Sequence, residues 1–339
     1  MRIAIVNDVA LEIEILRRSL NNYSGFEVAW LAHNGKEALE EFAKDKPDLI
    51  LMNLSMPVMD GAAATKAIME ISPVAVLLVT SSVSINQAKV FEAMGYGALD
   101  VVRTPVLNSD GEIVGADELI KKINIFKKLI NYHKTVSTET PNPHRSSKVK
   151  RTRIVAIGSS TGGPKALSVI LSQIPRDTKA AFIVIQHVDS QFATGLAEWL
   201  RNYSNLPLHL AESGISPENG NVYIANTDDH LFLNSHEKFE YTAKPLDNHF
   251  RPSVDVFFKS LTDNWSYKDI AVLLTGMGYD GAKGLLELKK NGWYTIAQDE
   301  ATSIVYGMPK VASEMGAALE ILPIEKIAES IIKNLNKRN

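Results

Sequence analysis

The strongest constraint on the fold of this chain is the alternation of short apolar runs with segments of helical periodicity. In the first third, apolar runs occupy residues 3–6, 26–32, 49–52, 74–79 and 99–102. Between these runs, apolar side chains recur every three or four residues, as at Val9, Ile13 and Leu16. That spacing places side chains on one face of a helix. Five strands alternating with helices predict a doubly wound parallel sheet, covered on both faces.

The same alternation returns from residue 154 to the end of the chain. Apolar runs predict strands at residues 154–157, 181–185, 208–211, 222–225, 270–274 and 293–297, and a hairpin of residues 231–233 with 239–242. Helical segments are predicted at residues 164–174, 193–202, 253–264, 282–291 and 324–335. Together they predict a second α/β domain, doubly wound, with a mostly parallel sheet and a short β-hairpin.

A stretch of different composition separates the two blocks. Residues 134–150 contain two prolines, several serines and threonines, and few apolar side chains. This composition is typical of a linker, so we predict domains at residues 1–133 and 151–339. We expect its basic end to be a solvated tether, with contact to an acidic partner as the alternative. That end comprises Arg145, Lys148, Lys150, Arg151 and Arg153.

Composition excludes several classes of protein. A hydrophobic share of 45% and a charged share of 22% are ordinary for a soluble globular chain. The net charge of -3 indicates neither nucleic-acid binding nor membrane association. The absence of cysteine excludes disulfides, thiolate metal sites and cysteine nucleophiles. Because the first strand begins at Ile3 and no apolar run approaches the roughly 18–20 residues of a membrane span, we expect a cytoplasmic protein without membrane insertion.

Three predicted strands of the second domain end at reactive side chains. The strand at 154–157 leads into GSSTGG (158–163), the strand at 181–185 into Gln186-His187, and the strand at 270–274 into TGMGYDG (275–281). In doubly wound sheets, such side chains meet beyond the carboxyl ends of the strands. Residues 158–162 also match the motif G-x-S-x-G, centred on Ser160 and placed between a strand and a helix.

These turns hold the residue types of nucleophilic catalysis. The hydroxyl of Ser160 is a weak nucleophile and needs a base, for which His187 is the best placed histidine. The base in turn needs a group that fixes its tautomer, and Asp280 is predicted at the same edge. The order Ser, His, Asp differs from that of α/β-hydrolases, so we expect another fold with the same chemistry.

Each turn also has a plainer explanation by itself. The glycine-rich turn at 158–163 can be structural or can bind phosphate, although it lacks the Gly-Lys-Ser/Thr ending of a nucleotide-binding loop. A single histidine is more often packed or exposed than catalytic, and GMGYDG is most often only a turn. Their convergence at one predicted sheet edge favours a serine hydrolase.

The same segments resemble those of the CheB-type chemotaxis methylesterases. GSSTGG is similar to that family's nucleophile turn, His187 to its base, TGMGYDG to its aspartate loop, and RPSVD (251–255) to a characteristic segment. The resemblance implies hydrolysis of glutamyl methyl esters on the cytoplasmic helices of chemotaxis receptors, and deamidation of glutamines there. It implies an oxyanion hole that includes the backbone N–H of Met277, with Thr161 and Arg251 lining the site. It implies no cofactor for catalysis.

Residues 1–133 resemble the flavodoxin-like receiver domain of response regulators, with LMNLSMPVMDG (51–61) as the phosphoacceptor strand and loop. Receiver chemistry needs an aspartate nucleophile, an acidic pair for Mg²⁺ and a lysine. The nucleophile position is Asn53, the acidic pair is Asn7-Asp8, the lysine position is Thr104 after Arg103, and the switch hydroxyl is Thr80.

These departures predict a receiver that does not respond to phosphate. The amide of Asn53 cannot form an acyl phosphate, and Asp8 alone is too little for a strong Mg²⁺ site. Asn53 is either natural or an engineered replacement, and the further departures at Asn7 and Thr104 favour a natural pseudo-receiver.

Three hypotheses of function follow. In the leading one, the resemblance implies a methylesterase whose N-terminal domain covers and inhibits the active site, with a histidine kinase as a further contact. The second is a signalling adaptor with a degenerate receiver, in which catalysis is incidental. The third is a nucleotide-binding regulator that uses GSSTGG (158–163).

Overall fold

A computed structural model of the chain describes residues 1–81, 87–130, 152–246, 248 and 250–337. The chain divides into two compact units, Met1–Thr135 and Val136–Asn339. The predicted linker at 134–150 lies outside the described residues, so the domain boundaries at 133 and 151 stay a prediction. None of the helices in the described ranges is both long and apolar enough to cross a membrane.

The N-terminal unit contains a five-stranded parallel sheet in the order β2-β1-β3-β4-β5. Its strands are β1 (Arg2–Val6), β2 (Glu27–Ala32), β3 (Leu49–Asn53), β4 (Ala75–Thr80) and β5 (Asp100–Arg103). Its helices are α1 (Ala10–Asn21), α2 (Gly35–Lys44), α3 (Gly61–Ile71), α4 (Gln87–Tyr96) and α5 (Ala116–Ile130). The predicted doubly wound architecture is confirmed.

One element of this unit was not predicted. Strands β6 (Val106–Leu107) and β7 (Ile113–Val114) pair as a small antiparallel hairpin between β5 and α5. Each strand has two residues, which is too short for an alternating pattern to be seen in the sequence.

The C-terminal unit is built on a seven-stranded parallel sheet in the order β10-β11-β9-β8-β14-β15-β16. Its strands are β8 (Ile154–Ser159), β9 (Ala181–Gln186), β10 (Leu208–Leu210), β11 (Val222–Ile224), β14 (Ile270–Leu273), β15 (Tyr294–Gln298) and β16 (Glu320–Leu322). Strands β12 (His230–Leu233) and β13 (Phe239–Thr242) form the predicted antiparallel hairpin. The predicted mostly parallel sheet is therefore confirmed.

Six helices accompany this sheet. They are α6 (Gly163–Gln173), α7 (Ser190–Arg201), α8 (Val254–Asn264), α9 (Ala282–Lys290), α10 (Met308–Glu314) and α11 (Ile324–Lys337). Helix α10 and strand β16 were not predicted, because α10 has seven residues and β16 has three half-buried ones without a clear apolar pattern. The central strands β8 and β9 are buried along their whole length, as parallel strands covered on both faces must be.

The expectation that Arg153 belongs to a solvated tether is wrong. Its side chain is buried, and its Nε lies 3.2 Å from Oδ1 of the fully buried Asp269. Its Nη1 donates to the carbonyl of Leu335 at the end of α11, and Asp269 also accepts from the backbone N–H of Ile154. Burial of an arginine in this way requires such partners. Arg153 therefore anchors the start of β8 to the last helix.

Candidate active site

Ser160 lies in the turn between β8 and α6, and glycines make this turn possible. Gly162 has a positive φ of 76°, and the N–H of Gly163 donates to the carbonyl of Ser160 at 2.7 Å. A Cβ on Gly163 would lie 2.0 Å from Oε1 of Gln186, so a larger residue has no room there. The turn therefore presents Ser160 at the N-terminus of α6, as the motif predicts.

Gln186 joins this turn to the neighbouring strand. Its Nε2 donates to the carbonyl of Ser160 at 2.8 Å and to that of His187 at 3.0 Å, and its Oε1 accepts from the hydroxyl of Ser159 at 2.7 Å. No role was predicted for Gln186 from the sequence. The signal available was a polar residue at the end of a wholly apolar strand, because a buried amide needs partners on both of its ends.

His187 and Asp280 are in direct contact. His187 Nε2 lies 2.8 Å from Asp280 Oδ2, and the two side chains are 12% and 2% exposed. The ring of Phe250 stacks on the imidazole, with centroids 5.0 Å apart and planes inclined by 14°. Since Nε2 bonds to the carboxylate, Nδ1 is the nitrogen that remains to accept a proton. The predicted pairing of His187 with Asp280 is therefore formed. Their roles as base and as orienting acid stay predictions.

The structure does not form the third link, between Ser160 and His187. Within the described residues, the Ser160 hydroxyl makes no hydrogen bond. The two segments are joined through backbone instead, because the N–H of His187 donates to the carbonyl of Ser159, the residue before Ser160, at 2.9 Å. Catalytic hydrogen bonds of free enzymes are often long and tighten when substrate binds. The role of Ser160 as nucleophile stays a prediction.

Asp280 is held at the N-terminus of α8. Its carboxylate accepts hydrogen bonds from the backbone N–H of Val254 at 2.6 Å, the hydroxyl of Ser253 at 2.8 Å and the N–H of Asp255 at 3.1 Å. Burial opposes ionisation, but the bond to His187 and the donors of the helix end outweigh it, and the pKa of Asp280 is lowered. The RPSVD segment therefore orients the aspartate.

Asp255, in α8, makes a comparable contact with the first turn of α9. Its Oδ1 accepts from the N–H of Gly284, in the first turn of α9, at 2.7 Å. Burial, together with the nearby negative charge of Asp280, raises the pKa of Asp255 to about 6. Asp280 thus accepts from the N-terminus of α8, the helix that contains Asp255, and Asp255 accepts from the first turn of α9, the helix that follows Asp280.

The loop of Met277 lies against the nucleophile turn. A Cβ on Gly276 would lie 2.7 Å from Cβ of Ser160, so the two backbones approach closely. The backbone N–H of Met277 makes no hydrogen bond to any residue that the structure describes, which leaves a donor in the loop whose Gly276 lies against Ser160. The carbonyl of Thr161 accepts from the hydroxyl of Thr275 at 3.0 Å, which ties the two loops together. The oxyanion role of Met277 and the lining role of Thr161 stay predictions.

Arg251 is placed differently from the other predicted site residues. Its Nη2 donates to the carbonyl of Leu246 at 3.0 Å, and none of its described hydrogen bonds reaches Ser160, His187 or Asp280. Its direct neighbour Phe250 is the residue that contacts the base. A role of Arg251 in binding substrate stays a prediction.

The predicted receiver site residues also meet at one sheet edge, where β1, β3, β4 and β5 end. Asn53 Nδ2 donates to Asp8 Oδ1 at 3.0 Å, and Asn53 Oδ1 accepts from the N–H of Leu54 at 2.8 Å. Asn7 is buried and donates through Nδ2 to Glu12 at 2.8 Å. Asp8, the one acid left of the predicted pair, is therefore bonded to the amide at the predicted phosphoacceptor position.

The donor set at this edge does not fit a strong Mg²⁺ site. Magnesium takes oxygen ligands in octahedral geometry, usually with one or two carboxylates. Among the described residues, no group of three or more histidine, aspartate or glutamate side chains could hold a metal ion. Thr80 and Thr104 are buried, and the Thr104 hydroxyl has no hydrogen-bond partner in the described part of the chain.

A serine on a glycine turn, a histidine bonded to a buried carboxylate and a backbone donor in the adjoining loop are components typical of serine hydrolases. The model of the CheB methylesterase family matches residues 155–331, and that of the response regulator receiver domain matches residues 3–113. The chain belongs to the CheB methylesterase family.

Individual relatives agree with this assignment. The chain is 47% identical over 334 residues to protein-glutamate methylesterase/protein-glutamine glutaminase 2 of Cupriavidus metallidurans, with 98% of each chain covered. It is 47% identical over 333 residues to the similarly named protein 1 of Pseudomonas fluorescens, with 98% of this chain and 99% of that one covered. The crystal structure of the CheB methylesterase catalytic domain of Thermotoga maritima is 39% identical and superposes with a TM-score of 0.51, covering 54% of this chain and 98% of that one.

Proposed function

We propose that this chain is a protein-glutamate methylesterase that acts on chemotaxis receptors and also deamidates glutamines at such positions. Family membership supports the class of reaction, and the names of the relatives support both activities. The observation that carries the assignment of residues is the bond between His187 and Asp280, formed beside the Ser160 turn. An adaptor role with incidental catalysis has no comparable support.

In this mechanism, Ser160 Oγ attacks the carbonyl carbon of the glutamyl ester while Nδ1 of His187 takes the hydroxyl proton. Negative charge on the carbonyl oxygen is stabilised by the free N–H of Met277. The tetrahedral intermediate collapses, and His187 returns the proton to the leaving methoxide, which departs as methanol. Water then attacks the glutamyl-serine ester with His187 again as base, which gives a glutamate and free Ser160. With a glutamine substrate, ammonia leaves instead of methanol.

Asp280 supports both proton transfers without taking part in them. Because its pKa is lowered, it stays ionised and keeps a proton on Nε2 of His187, so that Nδ1 is the basic nitrogen. The same carboxylate stabilises the imidazolium that forms after each transfer. A buried carboxylate with three further donors cannot rotate away from the histidine.

The substrate class implies the cellular setting. Methylated glutamates of chemotaxis receptors lie on cytoplasmic helices, so we place the protein in the cytoplasm, with a histidine kinase of the same pathway as a further contact. The N-terminal unit would regulate the enzyme through protein contacts rather than phosphoryl transfer, because Asn53 stands at the phosphoacceptor position and bonds to Asp8. Thr161 and Arg251 are the further residues that we propose to contact substrate.

The assignment is tested by replacing the nucleophile in the full-length chain. Ser160→Ala abolishes methanol release from methylated receptors, because loss of a nucleophilic serine costs on the order of 10⁶ in kcat. Ser172→Ala, an exposed serine on α6, is the matched control and retains activity. Circular dichroism checks that both variants fold. Methanol release by Ser160→Ala within tenfold of wild type, a threshold of about 1.4 kcal/mol, rejects Ser160 as nucleophile.

A further inference from the structure

His230 is a buried polar residue to which the mechanism above gives no task. It begins β12 and is fully buried. Its Nδ1 accepts a hydrogen bond from the backbone N–H of Ser253 at 3.1 Å, and its Nε2 lies 3.4 Å from the carbonyl of Pro245. A nitrogen that accepts from an N–H carries no proton itself, so the ring is neutral with its proton on Nε2.

The segment that His230 holds is the one that orients both the base and its aspartate. Ser253, whose N–H bonds to His230, donates its hydroxyl to Asp280 Oδ1 at 2.8 Å. Three residues earlier, Phe250 stacks on the ring of His187. Residues 250–253 therefore contact both members of the His187–Asp280 pair, and His230 fixes the backbone at the end of that segment.

We propose that His230 is a positioning residue for the reaction, whose neutral imidazole fixes Ser253 and, through it, the orientation of Asp280 and His187. This inference rests on the proposed function, because it concerns the geometry of the same triad. His230 is more than 20 sequence positions from Ser253 and does not contact substrate in this role. Its task is to supply an acceptor at a point where the backbone of the catalytic segment has a buried N–H.

The surroundings of His230 favour the neutral form that this role requires. Burial lowers the pKa of His230, the Pro245 carbonyl opposes this, and the positive charge of Arg251 lowers the pKa further. Asp280 and Asp229 act in the opposite direction, and the net shift is downward. A proton on Nδ1 would face the N–H of Ser253, so protonation would replace an acceptor with a second donor.

The test compares two substitutions of His230 in the full-length chain. His230→Leu removes the acceptor, whereas His230→Asn places its Oδ1 where Nδ1 stood. His230→Leu lowers kcat for methanol release about 10–100-fold with little change in KM, because a displacement of about 1 Å at a catalytic group costs on the order of 10². His230→Asn restores kcat to within about threefold of wild type, about 0.6 kcal/mol. His209→Leu, an exposed histidine on β10, is the matched control and is unaffected.

A second readout separates this inference from the proposed function. A fluorophosphonate probe labels the active serine without receptor, and we expect His230→Leu to slow labelling in parallel with kcat. Wild-type protein that neither releases methanol nor reacts with the probe overturns the proposed function. The positioning role alone is overturned if the wild type is active and His230→Leu has a labelling rate and kcat within twofold of it. The positioning role is also overturned if His230→Asn is as defective as His230→Leu.

The protonation state of the His230 imidazole can be observed directly in wild-type protein, which tests the proposal even if His230→Leu does not fold. Nitrogen-15 chemical shifts of the histidines in wild-type protein report the tautomer, and His230→Asn assigns the His230 signal. We expect the neutral form with the proton on Nε2 at pH 7. A His230 ring that is doubly protonated, or that carries its proton on Nδ1, overturns the proposal.

Discussion

Asp280 shows how a single buried carboxylate is kept ionised. Three donors from the start of α8 and the ring of His187 surround it, and together they outweigh the effect of burial on its pKa. Asp280 could be predicted because it follows a predicted strand. Its donors could not be predicted, because Ser253 and Val254 are more than 25 positions away and meet Asp280 only in the folded chain.

Replacing this carboxylate with an amide tests its role. Asp280→Asn retains the size of the side chain but cannot accept from every one of its donors, and the tautomer of His187 is no longer fixed. We expect kcat for methanol release to fall about 10³–10⁴-fold with KM little changed, as in other triads that lose this acid. Steady-state kinetics on methylated receptors measure the effect. A loss smaller than tenfold would show that His187 is oriented by other contacts.

The raised pKa of Asp255 predicts a pH dependence of stability. The unfolded chain deprotonates this residue near its ordinary value of 3.8 and the folded chain only near 6, so the folded state binds more protons between these values. The contribution of Asp255 to the free energy of unfolding therefore decreases as pH rises from about 4 to about 6. Asp255→Asn has no carboxyl group at this position, so it lacks this pH-dependent contribution to the free energy of unfolding.

Chemical denaturation of wild type and Asp255→Asn at intervals from pH 4 to pH 7 measures the difference. The stability of wild type relative to the variant decreases up to about pH 6 and is level from there to pH 7. Glu325→Gln is a control for the loss of one acidic group, because Glu325 lies near the start of α11, far in sequence from Asp255 and Asp280. A difference that does not change with pH would mean that the folded chain ionises Asp255 near its ordinary pKa.

At the scale of elements, Ser253 at the N-terminus of α8 both caps the helix and binds Asp280. Ser253 caps the helix by accepting from the N–H of Val256 at 3.3 Å, and the same hydroxyl donates to Asp280. A helix end carries several N–H groups without partners in the helix, and here the triad aspartate uses them. The stability of α8 and the geometry of the triad are therefore linked.

Removing the hydroxyl of Ser253 tests whether the helix cap and catalysis are linked. Ser253→Ala loses about 1 kcal/mol of free energy of unfolding, the usual value of an N-cap, and lowers kcat about tenfold. Asn34→Ala removes a comparable cap from α2 in the N-terminal unit, where Asn34 accepts from Lys36 and Glu37. We expect this control to lose stability and retain methanol release. Equal kcat values in the two variants would contradict a link between α8 and the triad.

Elements with a strong apolar pattern were predicted correctly, whereas β6, β7, β16 and α10 were not. The four missed elements have two, two, three and seven residues. Hydrophobic periodicity needs several repeats before it can be recognised, and short elements gain their stability from neighbours in the folded chain.

At the scale of the whole molecule, a methylesterase unit with the predicted Ser160, His187 and Asp280 is joined to a receiver unit that has an amide, Asn53, at the predicted phosphoacceptor position. Asn53 bonds to Asp8, and Asn7 bonds to Glu12, so the side chains at the predicted Mg²⁺ and phosphoacceptor positions already have hydrogen-bond partners. A carboxamide has neither the charge nor the nucleophilicity to attack phosphorus. Regulation by this unit would therefore depend on contacts with proteins.

Treatment of the full-length chain with acetyl phosphate and Mg²⁺ tests this loss. We expect no mass increase of a phosphoryl group in intact-mass measurements, because residue 53 cannot accept it. The double variant Asn7→Asp, Asn53→Asp restores the acidic pair and the acceptor and serves as the positive control. A phosphoryl adduct on wild-type protein that maps to residues 1–130 would contradict the prediction.

Apolar patterns in the sequence were enough to predict the two α/β units and the strand ends at which Ser160, His187 and Asp280 lie. The amide at residue 53 was enough to predict a receiver without a phosphoacceptor. Each of these depends on local patterns or on the chemistry of one side chain. The contacts that hold the site together could be identified only in the folded chain. Gln186, Phe250, Ser253 and His230 act through contacts between segments distant in the chain, and Arg153 is buried because Asp269 meets it in the fold. A polar residue reveals such a partner only when folding has removed both from water.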